Sequence, residues 1–357
     1  MSRLCFLSRN YYGLSGAGNK AKTDIECTLR QMGAVNLGLS TTFYDNKVVA
    51  FLLNLIGVVK MAFCLRRGDT LLLQYPVKKY FCFICNVAHF KKAKVVVIIH
   101  DLMSLHRKRI TQTTELSRLN RCDYIIASNE AMRQWLQEKG LQQPMGALGL
   151  FDYRSGASPA SKSQVSKPHR WALIYAGALV MRKNAYLLEL AHTAEHFDLH
   201  IYGNADGLPG IAEAPHAVCF PFTPADEFIR SADGDFGLVW DGDSLDTCQG
   251  DFGEYLRYNS PHKVSFYLRA GLPVIIWREA AVAPIIEEEG VGITIGSISE
   301  LEQKLQQLTT EDRIRMKKNV VRVSERLANG EYFTEALQQA LSTLELELPV
   351  FETVKHG

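Results

Sequence analysis

Asn259-Ser260-Pro261-His262-Lys263-Val264-Ser265-Phe266-Tyr267-Leu268-Arg269-Ala270-Gly271-Leu272-Pro273-Val274-Ile275-Ile276-Trp277 reads as a loop, a short helix and a buried strand in immediate succession. Ser260 is a good N-cap, and Pro261 suits the first helical position, where its missing N–H has no partner to lose. Ala270-Gly271 ends the helix, and Pro273 opens an apolar run of strand type. His262 and Lys263 fall in the first turn, where the helix dipole disfavours cations. A lysine in that place calls for an anion, and free backbone N–H groups beside an ammonium make a phosphate site. An ordinary capped surface helix has the same outline, so the motif takes its meaning from what surrounds it.

On both sides of this stretch, strand and helix patterns alternate, which predicts parallel sheets with crossover helices. Strands are expected at Leu4–Ser8, Thr70–Gln74, Lys94–Ile99 and Tyr124–Ala127, with a helix at Glu130–Lys139 closing on Gly140. Residues Ser155–Lys167, rich in Ser, Ala, Pro and Lys, have almost nothing to bury and read as a linker. A second alternating set follows, with strands at Trp171–Ala176, Leu199–Tyr202, Ala217–Phe220, Phe236–Trp240, Pro273–Trp277 and Val291–Ile295. The expected division is 1–154, a linker at 155–168, 169–332, and a C-terminal helix and tail at 333–357. Two doubly wound, Rossmann-like α/β domains follow from this. In such folds ligands bind at the carboxyl ends of the strands, in the interdomain cleft.

A chain of 357 residues suits two domains, and its 47% hydrophobic and 22% charged residues are those of a globular protein. A net charge of +2 argues against nucleic acid as a partner. The N-terminus shows a strand pattern and no signal-peptide pattern, and eight scattered cysteines suit a reducing cytoplasm. Cys82 and Cys85 have CxxC spacing but lie in an apolar run without a second pair, so packing is the expected role. The apolar run Val48–Leu65, interrupted by Asn54, Gly57 and Lys60, reads as a buried or amphipathic helix. Lys78-Lys79, Lys91-Lys92, Lys94 and His106-Arg107-Lys108-Arg109 lie near it; solvated faces are the ordinary reading, and peripheral contact with anionic lipid fits as well.

Four strand-end loops of the second half are candidates for one ligand. Gly177 permits a tight exit, and Arg182 and Lys183 place adjacent cations before a helix, suited to a diphosphate. Taken alone, that loop is equally an exposed basic turn. Tyr202-Gly203-Asn204 ends another strand, as a stacking platform for a base or as a simple turn, and Phe220-Pro221-Phe222-Thr223 ends a third. The fourth is Ser260-Pro261-His262-Lys263. In the first half, Gly13, Gly16 and Gly18 follow the first strand with the wrong spacing for a dinucleotide fingerprint, in a loop able to approach a sugar or phosphate. His100-Asp101 ends a further strand, where a titratable pair would face the cleft, although a structural histidine is an alternative. Asp241-Gly242-Asp243 looks like a metal-binding DxD, but with Arg182 and Lys263 available for a diphosphate an acceptor-binding or structural role is favoured and no metal is expected.

With these motifs in place the chain resembles the two-domain GT-B glycosyltransferases. The carriers are Arg182-Lys183 and Pro261-x-Lys263 followed by Ala270-Gly271-x-Pro273-Val274. More narrowly, Gly237-Leu238-Val239-Trp240-Asp241-Gly242, Asn259 to Lys263 and Leu268 to Trp277 are similar to a bacterial subfamily. It holds the glucosyltransferase that extends O-glycans on serine-rich adhesins and the β-1,6-galactofuranosyltransferases of polysaccharide assembly. The resemblance implies a UDP-sugar donor held by the C-terminal domain and a glycan, lipid-linked or glycoprotein acceptor held by the N-terminal one. It also implies metal-independent transfer and a homo-oligomer, while the scattered cysteines and the basic clusters beside an apolar helix give the expectation of a cytoplasmic enzyme, peripheral at the inner face of the plasma membrane. By position, Arg182 and Lys263 would bind the diphosphate, Tyr202 and Asn259 would help with nucleoside or sugar, and Gly16 would face the donor; Gly177, Lys183, Ser260 and His262 complete the expected donor-binding set.

One departure bears on mechanism. Many retaining GT-B enzymes carry two glutamates around this helix, where this chain has Tyr258 and Phe266. An inverting transfer is therefore expected, needing a base to deprotonate the acceptor hydroxyl, with His100, Asp101 and Asp241 as candidates. The competing readings are a catalytically silent sugar-nucleotide-binding partner of another transferase and a UDP-sugar epimerase. The absent GxGxxG argues against a nicotinamide dehydrogenase.

Overall fold

The structure, a computed structural model, describes residues 2–11, 17–77, 79–106, 108–160 and 170–346. Gly16, Lys78, Arg107, residues 161–168 of the expected linker and the tail beyond 346 lie outside the described residues. The chain divides into two compact units, Met1–Asp152 with Gly330–Gly357, and Tyr153–Asn329.

In the first unit six strands form one parallel sheet: β1 Leu4–Phe6, β2 Val35–Asn36, β3 Thr70–Tyr75, β4 Lys94–Ile99, β5 Tyr124–Ala127 and β6 Met145–Ala147. Their order is β2-β1-β3-β4-β5-β6. β3, β5 and all of β4 except Lys94 are buried, which is why these strands are continuous apolar runs and not alternating ones. β2 and β6 escape sequence reading because two or three residues show no period. The helix Glu331–Thr343 belongs to this unit and packs on β5 and β6. It is tied there by the buried Asp152, whose carboxylate accepts the N–H groups of Tyr332 (3.2 Å) and Phe333 (2.8 Å). A carboxylate on the first N–H groups of a helix satisfies donors that the helix cannot.

In the second unit the strands are β7 Trp171–Ala176, β8 Phe197–Tyr202, β9 Ala217–Phe220, β10 Phe236–Val239, β11 Val274–Trp277 and β12 Gly292–Ile295. They are ordered β12-β11-β10-β7-β8-β9, all parallel. Counted within the unit this is the 3-2-1-4-5-6 order of a Rossmann sheet, and the winding reverses between β7 and β10. Ligand sites of doubly wound sheets lie outside the carboxyl ends of the strands at that reversal.

The opening of the expected linker is structured. Arg269, buried in the helix His262–Arg269, donates to the carbonyls of Tyr153 (3.1 Å), Ser155 (2.9 Å) and Ala157 (2.8 Å) and to Ser324 Oγ (2.8 Å). Composition misleads here because the dock is made of backbone oxygens, which no side-chain pattern reveals. The same helix begins at His262 with Pro261 in the cap position, one residue later than expected, and Ser260 lies buried just ahead of it.

Candidate active site

The site in the second unit starts from a glycine inside a strand. A Cβ on Gly237 in β10 would stand 2.2 Å from Cγ of Tyr267, so the tyrosine ring crosses the strand where no side chain is tolerated. The Tyr267 hydroxyl then accepts the N–H of Ala176 at the end of β7 (2.8 Å). Lys263 precedes Tyr267 by four residues and shares its helix face. That register carries the Lys263 ammonium over the ring of Tyr175, 3.5 Å from its centroid, and against Gly177. Nζ of Lys263 is buried and, among the described residues, has no hydrogen-bond partner. Burial pushes its pKa well below the ordinary lysine range, the nearby Lys183 pushes it further, and Asp241 opposes both. A buried ammonium lacking an acceptor is costly in the unliganded protein, and an incoming anion relieves that cost.

Gly177 has φ +143°, and a Cβ there would lie 3.1 Å from Cε of Lys263. Gly177→Ala should strain the β7 exit and shift the ammonium. A drop in UDP affinity of about tenfold or more is expected, and affinity equal to wild type would contradict this placement.

The loop after β7 continues into Arg182 and Lys183. Lys183 Nζ pairs with Asp241 Oδ2 at 3.2 Å, and the Lys183 carbonyl accepts the N–H of Gly242 (2.8 Å). Arg182 is exposed and lies over the ring of Phe252, 4.9 Å from its centroid. Lys183 and Asp241 are thus the charges felt by Lys263. The backbone is held by the buried Asn184, whose Oδ1 accepts the N–H of Val180 (3.0 Å) and whose Nδ2 donates to the Tyr175 hydroxyl (2.6 Å). Sequence reading did not select Tyr175, Asn184, Phe252 or Tyr267. The signal for Tyr267 was present, a glycine inside the apolar strand β10 together with an i, i+4 relation to Lys263.

The other expected donor residues have different surroundings. The buried ring of Tyr202 stacks on Phe220 (centroids 4.5 Å, 7°) and meets Phe228 edge-on. These contacts put that ring in an aromatic cluster of the unit, while its carbonyl accepts the N–H of Gly177 (3.0 Å). His262 lies against Tyr153 (centroids 5.0 Å). Asn259 Oδ1 is buried without a hydrogen-bond partner among the described residues, a second polar atom left open beside the Lys263 helix. Phe266, at one of the glutamate positions of retaining enzymes, is stacked on Phe228 and Tyr153.

In the first unit, His100 directly follows β4. Its ring stacks on Phe151 (4.9 Å, 5°), and its Nε2 meets Gln74 Oε1 at 2.8 Å. Gln74 Nε2 donates to the Lys22 carbonyl, so Oε1 is the atom turned to the histidine and accepts from it. A neutral His100 therefore carries its N–H on Nε2 and its lone pair on Nδ1. Asp101 lies 3.6 Å from His106 Nδ1.

The DxD carboxylates go to different partners, Asp241 to Lys183 and Asp243 to Gln249 Nε2 (3.2 Å). Among the described residues, the His/Cys/Asp/Glu trio close enough to share an ion is Glu195, His196 and Glu302 on the surface. There Glu302 already accepts Nδ1 of His196 and two backbone N–H groups.

Two six-stranded parallel sheets, with cationic and glycine-bearing loops at the winding reversal of the second, are the architecture of the GT-B fold. Models of the N-terminal and C-terminal domains of glucosyltransferase 3-like proteins match residues 5–150 and 173–340. The chain belongs to the glucosyltransferase 3-like family. It is 28% identical to the β-1,6-galactofuranosyltransferase WbbI of Escherichia coli, over 95% of this chain and 98% of that protein. It is 24% identical to glucosyltransferase 3 of Streptococcus gordonii, over 93% and 97%. Among solved structures, Anabaena HepE in complex with UDP superposes with a TM-score of 0.62 at 15% identity, covering 96% of this chain and all of that one. The lipopolysaccharide outer core galactosyltransferase WaaB superposes with a TM-score of 0.59 at 13% identity, covering 95% and 100%.

Proposed function

We propose that the chain transfers a hexose (glucose, galactose or galactofuranose) from a UDP-sugar to a hydroxyl of a glycan acceptor in the cytoplasm, with inversion and without a metal. The observation that carries this reading is the buried, unpartnered ammonium of Lys263 at the strand-order reversal, beside Lys183. The names of the relatives, a galactofuranosyltransferase and a glucosyltransferase, support a hexose, and the UDP in HepE supports the nucleotide.

In this mechanism the bond from C1 of the sugar to the diphosphate oxygen breaks as the acceptor oxygen bonds to C1 from the opposite face. Negative charge develops on the departing UDP, and Lys263, Lys183 and the N–H groups at the start of the His262–Arg269 helix stabilise it. Arg182 supplies a further exposed cation. Preorganised cations of this kind meet the charge that a metal neutralises in other transferases. The acceptor proton passes to a general base, for which His100, Asp101 and Asp241 are the candidates. Asp241 is less suited, being paired with Lys183.

The test is a panel of UDP-glucose, UDP-galactose and UDP-galactofuranose, followed by mass-detected hydrolysis and then by transfer to lipid-linked or peptide-linked acceptors, with and without EDTA. Turnover of one donor, unaffected by EDTA and giving an inverted anomer, is the expected result. UDP binding with neither hydrolysis nor transfer would favour a silent partner, and donor isomerisation without acceptor an epimerase.

A further inference from the structure

The helix Lys47–Cys64 shows two opposite faces, and both are apolar. Its mean hydropathy is 1.9 with no acidic residue, and Asn46 caps it through Oδ1 on the N–H groups of Val48 (2.9 Å) and Val49 (3.2 Å). Ala50, Gly57, Val58 and Met61 are buried against the first unit, where Gly57 lets the helix close on Leu39 and Asn54 Oδ1 accepts the N–H of Asn10. On the other side Val48, Leu52, Ile56, Val59 and Phe63 are exposed, spaced by four, four, three and four residues. That spacing draws one stripe along the helix, and among the described residues nothing covers it.

A second helix extends the stripe sideways. In Phe81–Phe90, Phe83 and Phe90 are exposed, Phe90 to 88%, as Phe63 of the first helix is to 82%. Lys91 joins the two helix ends, its Nζ donating to the carbonyls of Phe63 (3.3 Å) and Leu65 (2.7 Å). At the other end Tyr80 lies beside Phe51 and Lys79 over it, 4.7 Å from the ring centroid. The two helices therefore lie side by side, and each carries exposed phenylalanines.

Charge identifies the occupant. Between Lys47 and Lys94 the sequence holds nine Lys and Arg and a single acid, Asp69, in a chain whose net charge is only +2. Asp69 is buried and paired with Arg3 at 2.6 Å, so it presents no negative charge outward. Arg66, Arg67, Lys79 and Lys92 are exposed around the phenylalanines. A second copy of the chain meeting this patch about a two-fold axis would oppose two sets of like charges. An anionic surface that also accepts apolar side chains removes both difficulties, and a bilayer of acidic phospholipid is such a surface. Because the buried face of Lys47–Cys64 is fastened to the segments after β1 and β2, the helix would lie along the interface and not across it.

We propose that this two-helix face docks the enzyme on anionic lipid, with Phe63 and Phe90 inserted among the acyl chains and the surrounding Lys and Arg on the headgroups. The inference does not rest on the glycosyl-transfer reading, since lipid binding and UDP binding are measured separately. Co-sedimentation of the full chain with equimolar phosphatidylglycerol–phosphatidylcholine vesicles, and with phosphatidylcholine alone, tests it. Wild type should bind the anionic vesicles and release at about 0.5 M salt. The double variant Phe63→Ser/Phe90→Ser should lose about tenfold or more in partitioning at low salt, where wild type is bound. Arg66→Glu/Arg67→Glu should lose the preference for phosphatidylglycerol by about the same factor. Both pairs are exposed and remote in sequence from the donor loops, so UDP affinity and melting temperature should stay at wild-type values. A folding defect in one pair leaves the other to decide. Wild type remaining in the supernatant would overturn the proposal. So would variants that sediment like wild type, or Phe63→Ser/Phe90→Ser breaking an oligomer into monomers with lipid binding intact, which would give the face to a second copy.

Discussion

Methionine in place of Lys263 is expected to abolish sugar transfer and to raise the melting temperature of the unliganded protein. The two effects share one cause. The Lys263 ammonium is buried over Tyr175 with no hydrogen-bond acceptor, so without ligand it costs stability, and with a departing diphosphate it makes a charge-assisted contact in a water-poor site. Losing a contact of that kind in the transition state costs about 3–4 kcal/mol, or about 10²–10³ in kcat. Removing the buried charge with an apolar side chain of similar length should stabilise the apo protein by about 1–2 kcal/mol. The pH dependence has a definite sign. The folded-state pKa lies below the unfolded one, with burial as the main cause and Lys183 next, so the lysine is penalised wherever the unfolded chain would carry its proton. The stability gain of Lys263→Met should therefore be largest below the depressed folded-state value, shrink as pH rises from there, and vanish above about pH 10.4, the unfolded lysine value. Thermal melts of both proteins across pH, alongside turnover, check this. A less stable methionine variant at neutral pH, or one retaining activity, would show that the ammonium is satisfied in another way.

The second large effect is structural and leaves the donor residues untouched. Arg269→Met should destabilise the second unit by about 3–5 kcal/mol, because it strips donors from three backbone carbonyls and from Ser324 at once. Arg269→Lys should recover only part of this loss, since a lysine cannot reproduce the planar fork that spans Tyr153, Ser155 and Ala157. Denaturant melts should show the loss as a lower midpoint. A midpoint within error of wild type would mean that residues 153–157 contribute nothing to the unit they dock on.

These two residues also mark what could be read before the fold was seen. Lys263 was legible because a cation in the first turn of a helix conflicts with the dipole, and such conflicts collect at functional sites. The buried strands were legible for the opposite reason, since uninterrupted runs such as Val95–Ile99 have no better place than the centre of a parallel sheet. Arg269 lies in the same quoted stretch and reads there only as a basic residue near a helix end. Its partners are carbonyls more than a hundred residues earlier, and nothing local announces them. The return of Glu331–Thr343 to the first unit was equally hidden, because Asp152 fastens it through backbone N–H groups. Arg182 and Lys183 are adjacent and chemically alike and both lie over the Phe252 ring, and only the folded loop shows that Lys183 alone pairs with Asp241. Tyr202 ended a strand in the right place for stacking, but aromatic neighbours from β9 and the next helix had already taken part of its surface.

The central claim is that Lys263 in the second unit waits for a nucleoside diphosphate. Calorimetric titration of UDP into the protein, repeated in two buffers of different ionisation enthalpy, tests it most directly. If an anion repairs a depressed lysine, binding must be accompanied by proton uptake above the free-state pKa. Affinity must then fall as pH rises between the free-state and bound-state values. The account predicts UDP binding with uptake of up to about one proton at pH values between the free-state and bound-state pKa of Lys263, and loss of both binding and uptake in Lys263→Met. UDP binding without proton uptake, undiminished in Lys263→Met, would contradict it.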